Sequence, residues 1–312
     1  MRENQLAAQV AGEVKKAVVG KDDIVVKTLL AILARGHVLL EDIPGVGKTT
    51  LAIAFSKALG LKYSRVQFTP DVMPSDLTGF SLYNKATGQM EYQPGALLCN
   101  LFLADELNRA TSRTQSALLE AMEEGRVTVD GVSRPVPDPF LVIATQNPVG
   151  ASGTQLLPDS QLDRFALRLT MGYPAPADEL ELLQRKLRGG LMDAVAQAAD
   201  REELARLRGQ VDRVFVDDAV LDYILRLVRA TRSHPQLAQG ASPRAAISVA
   251  GLCRACAFLR GRDYVVPDDV GFLWVDAIAH RLVLPAGAAD SARRARDIAA
   301  EVLGSVRPPR LR

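Results

Sequence analysis

Cysteine, histidine and tryptophan are scarce in this sequence of 312 residues, which has three Cys, three His and one Trp. An odd and small number of cysteines cannot form a disulfide framework. The histidines, at positions 37, 234 and 280, are scattered, and their spacing suggests neither a metal site nor a catalytic base. These scarcities argue against a disulfide-stapled secreted domain and against a histidine-based metal centre.

An excess of one charge and a long apolar run are also missing. Lys and Arg number 38 against 36 Asp and Glu, for a net charge of +2, so charge offers no argument for a nucleic-acid partner. The first ten residues hold no apolar segment of signal-peptide length. The longest apolar stretch, 96–104, is interrupted by Asn100 and is too short to span a bilayer. We therefore expect a cytoplasmic protein with no membrane insertion and no nucleic-acid partner.

The composition nevertheless supports a sizeable core, since 48% of the residues are hydrophobic and 24% are charged. The length suggests two domains. In the first half, strand patterns alternate with helical ones, which predicts an α/β fold whose parallel strands are buried on both faces. The predicted helices cover 22–35 and 49–59, and the predicted strands cover 37–43, 63–68, 97–104 and 140–145.

From about residue 174 onward the pattern is helical throughout, with short polar breaks. We therefore divide the chain into an α/β nucleotide-binding core, 1–173, and a smaller all-α lid, 174–312. The predicted lid helices cover 177–188, 199–210, 217–231, 243–260, 267–281 and 290–303.

Two segments interrupt the α/β alternation. Residues 71–95 are rich in Gly, Pro and Asn and are too long for an ordinary connection. Residues 126–139 are typical of a β-hairpin, because Asp130-Gly131 is a strong two-residue turn signal between alternating positions. Both segments are candidate functional insertions.

The segment 44–50, PGVGKTT, follows a predicted strand and opens a predicted helix, as a phosphate-binding loop requires. Glycines let backbone N–H groups surround phosphate oxygens, and the helix N-terminus favours an anion. Lys48 would reach the β- and γ-phosphates, and the Thr49 hydroxyl would bind Mg²⁺. Asp42 stands where the full pattern has its first glycine, and we expect only a slightly altered path of the chain into the loop.

Two further strands end in polar residues at the sheet edge where ligands bind in open α/β folds. The strand 101–104 ends in Asp105 and Glu106, which would hold Mg²⁺ through water and polarise the attacking water, respectively. The strand 140–145 is followed by Asn147, whose amide could bond the γ-phosphate or the attacking water. An ordinary Asn-Pro turn explains Asn147 equally well on chemistry alone.

Taken in order, six segments resemble the MoxR family of AAA+ ATPases, and the likeness covers nearly the whole chain. The segments are GHVLLE at 36–41, PGVGKT at 44–49, LADELNRA at 103–110, TQSALLEAM at 114–122, ATQNP at 144–148 and LDRF at 162–165. Six ordered matches are far more specific than a phosphate-binding loop alone.

The resemblance implies a role for particular residues. Walker A would include Lys48 and Thr49, Walker B would include Asp105 and Glu106, and sensor 1 would be Asn147. Arg164 matches the arginine finger that reaches a neighbouring subunit, and Arg244 matches sensor 2 at the start of a lid helix. Nucleotide contacts are expected from Val19, Gly20, Pro44, Gly45, Val46, Gly47, Lys48, Thr49, Thr50 and Asp105, with Thr49 and Asp105 at Mg²⁺.

The two insertions match the helix-2 insert and the pre-sensor-1 hairpin of a clade that includes magnesium-chelatase ATPase subunits and MCM helicases. The resemblance also implies ATP hydrolysis in a homo-oligomeric ring, a hexamer in the family pattern, that remodels or matures a client protein or inserts a metal into it. A protein with a von Willebrand factor A domain is the partner the family suggests.

Physical chemistry supports the two arginines independently, because a planar guanidinium stabilises spread transition-state charge better than an ammonium does. An ordinary surface ion pair of Arg164 with Asp163, and a solvated helix start at Arg244, are the simpler interpretations. Arg109 and Arg113 are additional candidates near the site.

Three other functions stay open. A DNA-translocating motor would need basic insertions, but in the hairpin Arg126 and Arg134 are balanced by Asp130 and Asp138. For a nucleotide-gated assembly module with slow hydrolysis, the only sequence feature in favour is Asp42. A magnesium-chelatase-type ATPase subunit would be favoured by a neighbouring gene for a large chelatase subunit.

The C-x-x-C segment at 253–256 is a weaker signal. It falls in the middle of a predicted helix, where its cysteines join an apolar stripe, and no partner pair of metal ligands is visible. We expect both cysteines to pack in the core.

Overall fold

The computed structural model describes residues 3–43, 45–147, 157–285 and 290–310. It contains a five-stranded sheet in the order β2-β5-β8-β1-β9, with every neighbouring pair parallel. Two antiparallel hairpins, β3–β4 and β6–β7, lie outside this sheet. The strands are β1 (His37–Glu41), β2 (Tyr63–Gln67), β3 (Gly79–Asn84), β4 (Gln89–Pro94), β5 (Leu101–Asp105), β6 (Arg126–Val129), β7 (Val132–Pro135), β8 (Leu141–Gln146) and β9 (Phe165–Leu169).

Helices cover both faces of the sheet and build the C-terminal part of the chain. They are α1 (Glu3–Ala17), α2 (Asp22–Leu33), α3 (Lys48–Ala58), α4 (Pro74–Thr78), α5 (Ser112–Glu124), α6 (Asp159–Leu162), α7 (Pro176–Arg188), α8 (Arg201–Asp212), α9 (Asp218–Arg232), α10 (Pro243–Leu259), α11 (Pro267–Ile278) and α12 (Ser291–Ser305). The predicted α/β core followed by an all-α lid is confirmed.

The alternation of side chains along the central strands divides the core between the two sheet faces. On β5, Leu101 and Leu103 join a cluster with α1–α3 and the lid helices, whereas Phe102 and Ala104 join a cluster with α4, α5 and β6. All residues of β5 and β8 are buried, as expected for parallel strands covered on both faces. The lid therefore shares one hydrophobic core with the sheet.

Several element boundaries differ from the predictions. The strand predicted over 97–104 begins only at Leu101, because Asn100 is held by two side-chain hydrogen bonds. Its side chain accepts from the Lys62 N–H and donates to the Pro139 carbonyl. The helix predicted over 267–281 ends at Ile278 and continues as one 3₁₀ turn. The segment 71–95 holds the short helix α4 and the β3–β4 hairpin.

The sequence analysis did not predict α1, α5, α6 and β9, nor the separate elements within 71–95. Helix α5 carried a readable signal, since the Thr111 side chain accepts from the Thr114 N–H at its start and Gly125 adopts φ +63° at its end. The predicted hairpin at 126–139 is confirmed, with Asp130 and Gly131 both at positive φ. The two cysteines of the C-x-x-C segment are buried and free, as predicted.

His37, at the start of β1, is held in one neutral tautomer. Its Nε2 faces the Met122 carbonyl at 3.2 Å, and its Nδ1 accepts from the Val142 N–H at 3.0 Å. Burial lowers the pKa of His37 from 6.5 to about 4, because a charged imidazolium would lose its hydration and Nδ1 already accepts a hydrogen bond.

This arrangement predicts a pH dependence of stability. Between pH 6.5 and 4 the unfolded chain binds the proton at this position and the folded chain does not, so stability falls as the pH is lowered through that window. From His37 alone, we expect the free energy of unfolding in urea to be about 2 kcal/mol lower at pH 5 than at pH 7.5. The variant His37→Gln should be less stable at pH 7.5 but should show a smaller loss between the two values. An equal loss in both proteins would contradict the assignment.

Candidate functional site

The site lies at the carboxyl edge of the three central strands. Strands β5, β8 and β1 are adjacent, and their pairing aligns Ala104 with Ala144 and Leu40 with Thr145. Asp105 ends β5, Asn147 follows β8, and the loop after β1 leads into α3. Parallel pairing thus brings three separate segments to one edge, as the sequence predicted.

The loop between β1 and α3 has the backbone of a phosphate-binding loop. Gly45 and Gly47 have φ +86° and +99°, values that a residue with a Cβ adopts only under strain. Pro44 lies outside the described residues. Helix α3 begins at Lys48, so the free N–H groups of its first turn are available for an anion.

Lys48 is buried at the start of α3 and its ammonium turns back toward the sheet edge. Nζ donates to the carbonyls of Asp42 at 2.6 Å and Ile43 at 3.2 Å, and lies 3.5 Å from Asn147 Oδ1. Burial lowers the pKa of Lys48, while the carboxylates of Asp42, Asp105 and Glu106 act in the opposite direction. The lysine is therefore a desolvated donor whose present partners are backbone carbonyls.

The Asp42 carboxylate holds the phosphate-binding loop in place through two hydrogen bonds. Its Oδ1 accepts from the Ile43 N–H at 2.8 Å, and its Oδ2 accepts from the Gly172 N–H. Asp42 has no positive φ, so this position does not need a glycine in this chain. The departure from the full motif thus ties the phosphate-binding loop to the segment that leaves β9.

Asp105 is buried and accepts hydrogen bonds on both carboxylate oxygens. Oδ1 accepts from the Thr145 hydroxyl at 2.6 Å, and Oδ2 accepts from Arg65 Nη2 at 2.7 Å. The same Thr145 oxygen accepts from the Glu106 N–H at 2.9 Å. Thr145 therefore joins both acidic positions to β8. The sequence analysis gave neither Thr145 nor Arg65 a role, since Thr145 entered only as part of the ATQNP segment and Arg65 belongs to no motif.

Glu106 is turned into the cavity by an unusual backbone, with φ +57°. Its Oε1 accepts from Asn147 Nδ2 at 3.1 Å, and its Oε2 accepts from Arg109 Nη1 at 2.8 Å. Asn147 thus lies between Lys48 and Glu106 and bonds one of them with each end of its amide. This placement favours the functional interpretation of Asn147 over an ordinary Asn-Pro turn.

Two cavities meet at the phosphate-binding loop. One, of about 310 Å³, is polar and is lined by Lys48, Thr49, Asp105, Glu106 and Asn147, with Gln67 at its rim. The other, of about 540 Å³, is more apolar, and Val46, Val19 and Leu183 are among its lining residues. Gly45, Gly47 and Thr50 line both cavities. A ligand with a charged end and a flat apolar end would fill the two together.

Gly20 lies beside the apolar cavity, between α1 and α2, at φ +70°. A Cβ at this position would lie 2.1 Å from Asp178 Oδ2 on α7. The positive φ and the nearby Asp178 side chain both disfavour a larger residue at this position. Val19 lines the apolar cavity and Gly20 follows it in the chain, and their contact with the base stays a prediction.

Arg164 and Arg244 lie together, and neither lines the two cavities described above. Arg164 Nη2 bonds Glu123 Oε2 at 2.7 Å, and Arg244 Nη2 bonds Glu123 Oε1. The alternative ion pair of Arg164 with Asp163 does not form, because Asp163 binds Arg281 and Ser242 instead. Both arginines share one carboxylate outside the nucleotide cavities of their own chain.

The described residues offer no group of three or more His, Cys, Asp or Glu side chains arranged to hold a metal ion. A divalent ion bound with nucleotide needs fewer protein ligands, and Thr49 and Asp105 both line the polar cavity. No helix among the described residues has both the length and the low polarity needed to cross a bilayer.

Comparison with known proteins agrees with this geometry. Residues 37–167 match the ATPase family associated with various cellular activities (AAA), and residues 229–302 match the AAA lid domain. The chain is 42% identical to Chaperone MoxR1 of Mycobacterium tuberculosis over 87% of this chain and 74% of that protein. This chain belongs to the MoxR family of AAA+ ATPases. It is therefore a nucleotide-binding ATPase.

Two other proteins match nearly the full length of the chain. The protein YeaC of Bacillus subtilis, which has no described function, is 44% identical over 97% of this chain and 95% of its own. A crystal structure of a Cytophaga hutchinsonii protein assigned as an ATPase superposes with a TM-score of 0.89 at 35% identity, covering 99% of this chain and 96% of that one.

The position of Glu106 predicts the effect of removing its charge. In Glu106→Gln the amide keeps the size of the side chain but cannot take a proton from water, so we expect phosphate release to fall about 10²–10⁴-fold. Nucleotide binding, measured by fluorescence of a labelled nucleotide, should stay within a few-fold of wild type because Lys48 and the loop are untouched. Unchanged phosphate release would leave a nucleotide-gated assembly module as the better description.

Proposed function

We propose that this MoxR-family chain hydrolyses Mg²⁺-bound ATP at the polar cavity, with the base in the adjoining apolar cavity. The observation that carries the proposal is the linked set Lys48, Asn147 and Glu106, held within hydrogen-bond distance around one cavity. We divide the chain at 173/174 into core and lid, with the insert at 71–95 and the hairpin at 126–139 belonging to the core.

The residues present suit a nucleotide with a divalent ion. The loop supplies backbone N–H groups and the Lys48 ammonium for phosphate oxygens, and the Thr49 hydroxyl and the Asp105 carboxylate are hard oxygen donors. Mg²⁺, when bound, would neutralise phosphate charge as it develops. Arg65 now occupies Asp105 Oδ2 and is partly exposed, so it can withdraw from this oxygen at little cost.

Glu106 is the group we assign to water activation. Its carboxylate is at present bound by Asn147 on one oxygen and Arg109 on the other. Arg109 occupies Oε2, so an attacking water can bond this oxygen only after Arg109 releases it. Asn147 is placed to keep the carboxylate in register with Lys48 during that change.

The site needs a second copy of the chain. Arg164 and Arg244 lie with Glu123 outside the cavities of their own chain, so we propose that both serve a neighbouring subunit's nucleotide in a ring, most simply a hexamer. A head-to-tail contact between unlike surfaces closes into a ring of this kind. Arginine supplied in this way couples hydrolysis to assembly.

Helix α7 offers an apolar surface for that contact. Leu180, Leu183 and Leu187 are all exposed, Leu187 at 87%, and they recur at the three- and four-residue spacing of one helix face. Leu183 also lines the apolar cavity, so this face borders the nucleotide site. A neighbouring subunit that supplies arginines to the site would cover it.

We propose that the two hairpins transmit the conformational change that follows ATP hydrolysis to a client protein. Phe80, Leu82 and Met90 on β3–β4 are exposed, and Tyr92 of the same hairpin stacks on Arg134 of β6–β7, with the guanidinium carbon 3.9 Å from the ring centre. This contact lets the hairpins move together against a client. We propose chaperone-like remodelling, maturation or metal insertion of that client, with a von Willebrand factor A domain protein as partner, in keeping with the chaperone name of the Mycobacterium tuberculosis relative.

DNA translocation is the weaker alternative, because the hairpin arginines are already engaged. Arg126 donates to the Ser133 hydroxyl at 2.7 Å, and Arg134 stacks on Tyr92 and donates to two carbonyls. A magnesium-chelatase-type subunit would share the whole site and differ only in its partner. We place the activity in the cytoplasm, where ATP is supplied and three free buried cysteines stay reduced.

The shared site predicts a dependence of turnover on protein concentration. Specific ATPase activity of the wild type should rise with concentration as rings assemble, and Arg164→Ala should lower the plateau roughly 10³-fold while nucleotide binding is retained. Arg206→Ala is the matched control, since Arg206 is an exposed arginine of α8 that pairs with Glu203 of its own helix and lies outside both cavities. Activity that is independent of concentration and survives Arg164→Ala would mean a self-contained site and would end the ring proposal.

The α7 face generates a separate prediction about assembly. Leu187→Glu places a charge on the exposed stripe, so we expect the sedimentation coefficient with bound ATP to shift from ring to monomer. Leu225→Glu, on the exposed side of α9, should assemble normally. Rings that persist in Leu187→Glu would remove α7 from the interface.

A further inference from the structure

Glu123, at the C-terminal end of α5, binds two arginines from different parts of the chain. Its Oε2 accepts from Arg164 Nε at 2.9 Å and Nη2 at 2.7 Å, and its Oε1 accepts from Arg244 Nη2. Arg164 follows α6 in the core, and Arg244 lies in the first turn of α10 in the lid. One carboxylate therefore holds a core arginine and a lid arginine side by side.

The N–H groups of Arg164 and Arg244 that do not bind Glu123 are the donors a ligand could use. Arg164 uses one edge of its guanidinium on Oε2, and its Nη1 makes no hydrogen bond within the described residues. Arg244 uses Nη2 alone. A guanidinium fixed along one edge presents its remaining N–H groups in a defined direction, which suits an incoming phosphate.

Contacts that do not involve Glu123 hold together the chain segments that carry Arg164 and Arg244. Asp163 accepts from the Ser242 hydroxyl at 3.0 Å and from Arg281 Nε at 2.8 Å, and the Arg281 side chain is almost fully buried. These contacts hold the backbone beside Arg164 to the start of α10. Glu123 is thus not needed to dock the lid, and its remaining effect is on where the two guanidinium groups point.

The two arginines in turn keep Glu123 ionised. Their hydrogen bonds lower the pKa of its carboxyl, with Arg164 contributing most. The neighbouring Glu124 is exposed, and its side chain makes no hydrogen bond or ion pair within the described part of the chain.

We propose that Glu123 is the positioning residue for both Arg164 and Arg244, setting them as one unit that acts on the nucleotide of the neighbouring subunit. The inference rests on the proposed ring function. It adds that lid and core present their arginines together, so a shift of the lid against the core would withdraw both from the neighbour's site.

The first test compares Glu123→Gln with the matched control Glu124→Gln. A glutamine has one acceptor oxygen, so it can hold only one of the two arginines, and its NH₂ group faces the other. We expect kcat to fall about 10–100-fold, as for a misplacement of catalytic groups by about 1 Å, with KM and nucleotide affinity within about two-fold. Glu124→Gln should match wild type. A wild-type kcat in Glu123→Gln, or an effect confined to KM, would overturn the assignment.

The second test is complementation between two variants of reduced activity. Glu106→Gln subunits lack the water-activating carboxylate but keep their arginines, whereas Glu123→Gln subunits keep the nucleotide site and lack the arginine support. In an equal mixture, about one interface in four joins an intact nucleotide site to an intact arginine unit, so activity should return toward a quarter of wild type. The mixture of Glu106→Gln with Lys48→Ala supplies no intact nucleotide site and should stay inactive.

The outcomes separate this inference from the ring proposal. If Arg164→Ala and Arg244→Ala both collapse turnover but Glu123→Gln does not, the ring stands and the role of Glu123 fails. If Arg164→Ala leaves turnover unchanged, the ring proposal itself fails. No recovery in the mixture of Glu106→Gln with Glu123→Gln, at equal ring content by sedimentation, would place the effect of Glu123 within its own subunit and overturn the inference.

Discussion

The parallel pairing of β5, β8 and β1 is the constraint on which the rest of the site depends. Because side-chain direction alternates along a strand, a shift of one residue in this pairing would turn the polar strand ends to the wrong face. The observed register aligns Ala104 with Ala144 and Leu40 with Thr145. It lets the Thr145 hydroxyl reach Asp105 and the Glu106 backbone, and it puts Asn147 between Lys48 and Glu106.

Within that frame, the acidic residues of the nucleotide site are each balanced by an arginine of the same chain. Arg65 pairs with Asp105 and Arg109 with Glu106, while Lys48 donates to backbone carbonyls. Both arginines are partly exposed, so these pairs are weaker than buried ones and can exchange for ligand charges. The same exchange would free Glu106 for water when nucleotide is bound.

The lid is joined to the core by packing and by charge. The apolar cluster on one sheet face continues without a break into the lid helices. Asp42 reaches Gly172 just before the lid, and Asp163 and Glu123 bind lid residues at Ser242 and Arg244. The phosphate-binding loop and the two arginines are therefore both tied to the position of the lid, which would be a basis for coupling among subunits in the proposed ring.

The sequence was enough to predict most strands and helices, though not α1, α5, α6 or β9, together with the phosphate-binding loop, the acidic strand end and the hairpin at 126–139. These features depend on periodicity and turn chemistry within a few residues. The sequence also marked Arg164 and Arg244, through resemblance. The tertiary structure alone decided their partners. Asp42 meets Gly172 across 130 residues, and Glu123 meets Arg244 across 121. A chain with 38 basic and 36 acidic groups allows many such pairs, and only the packing of helices against the sheet selects those that form.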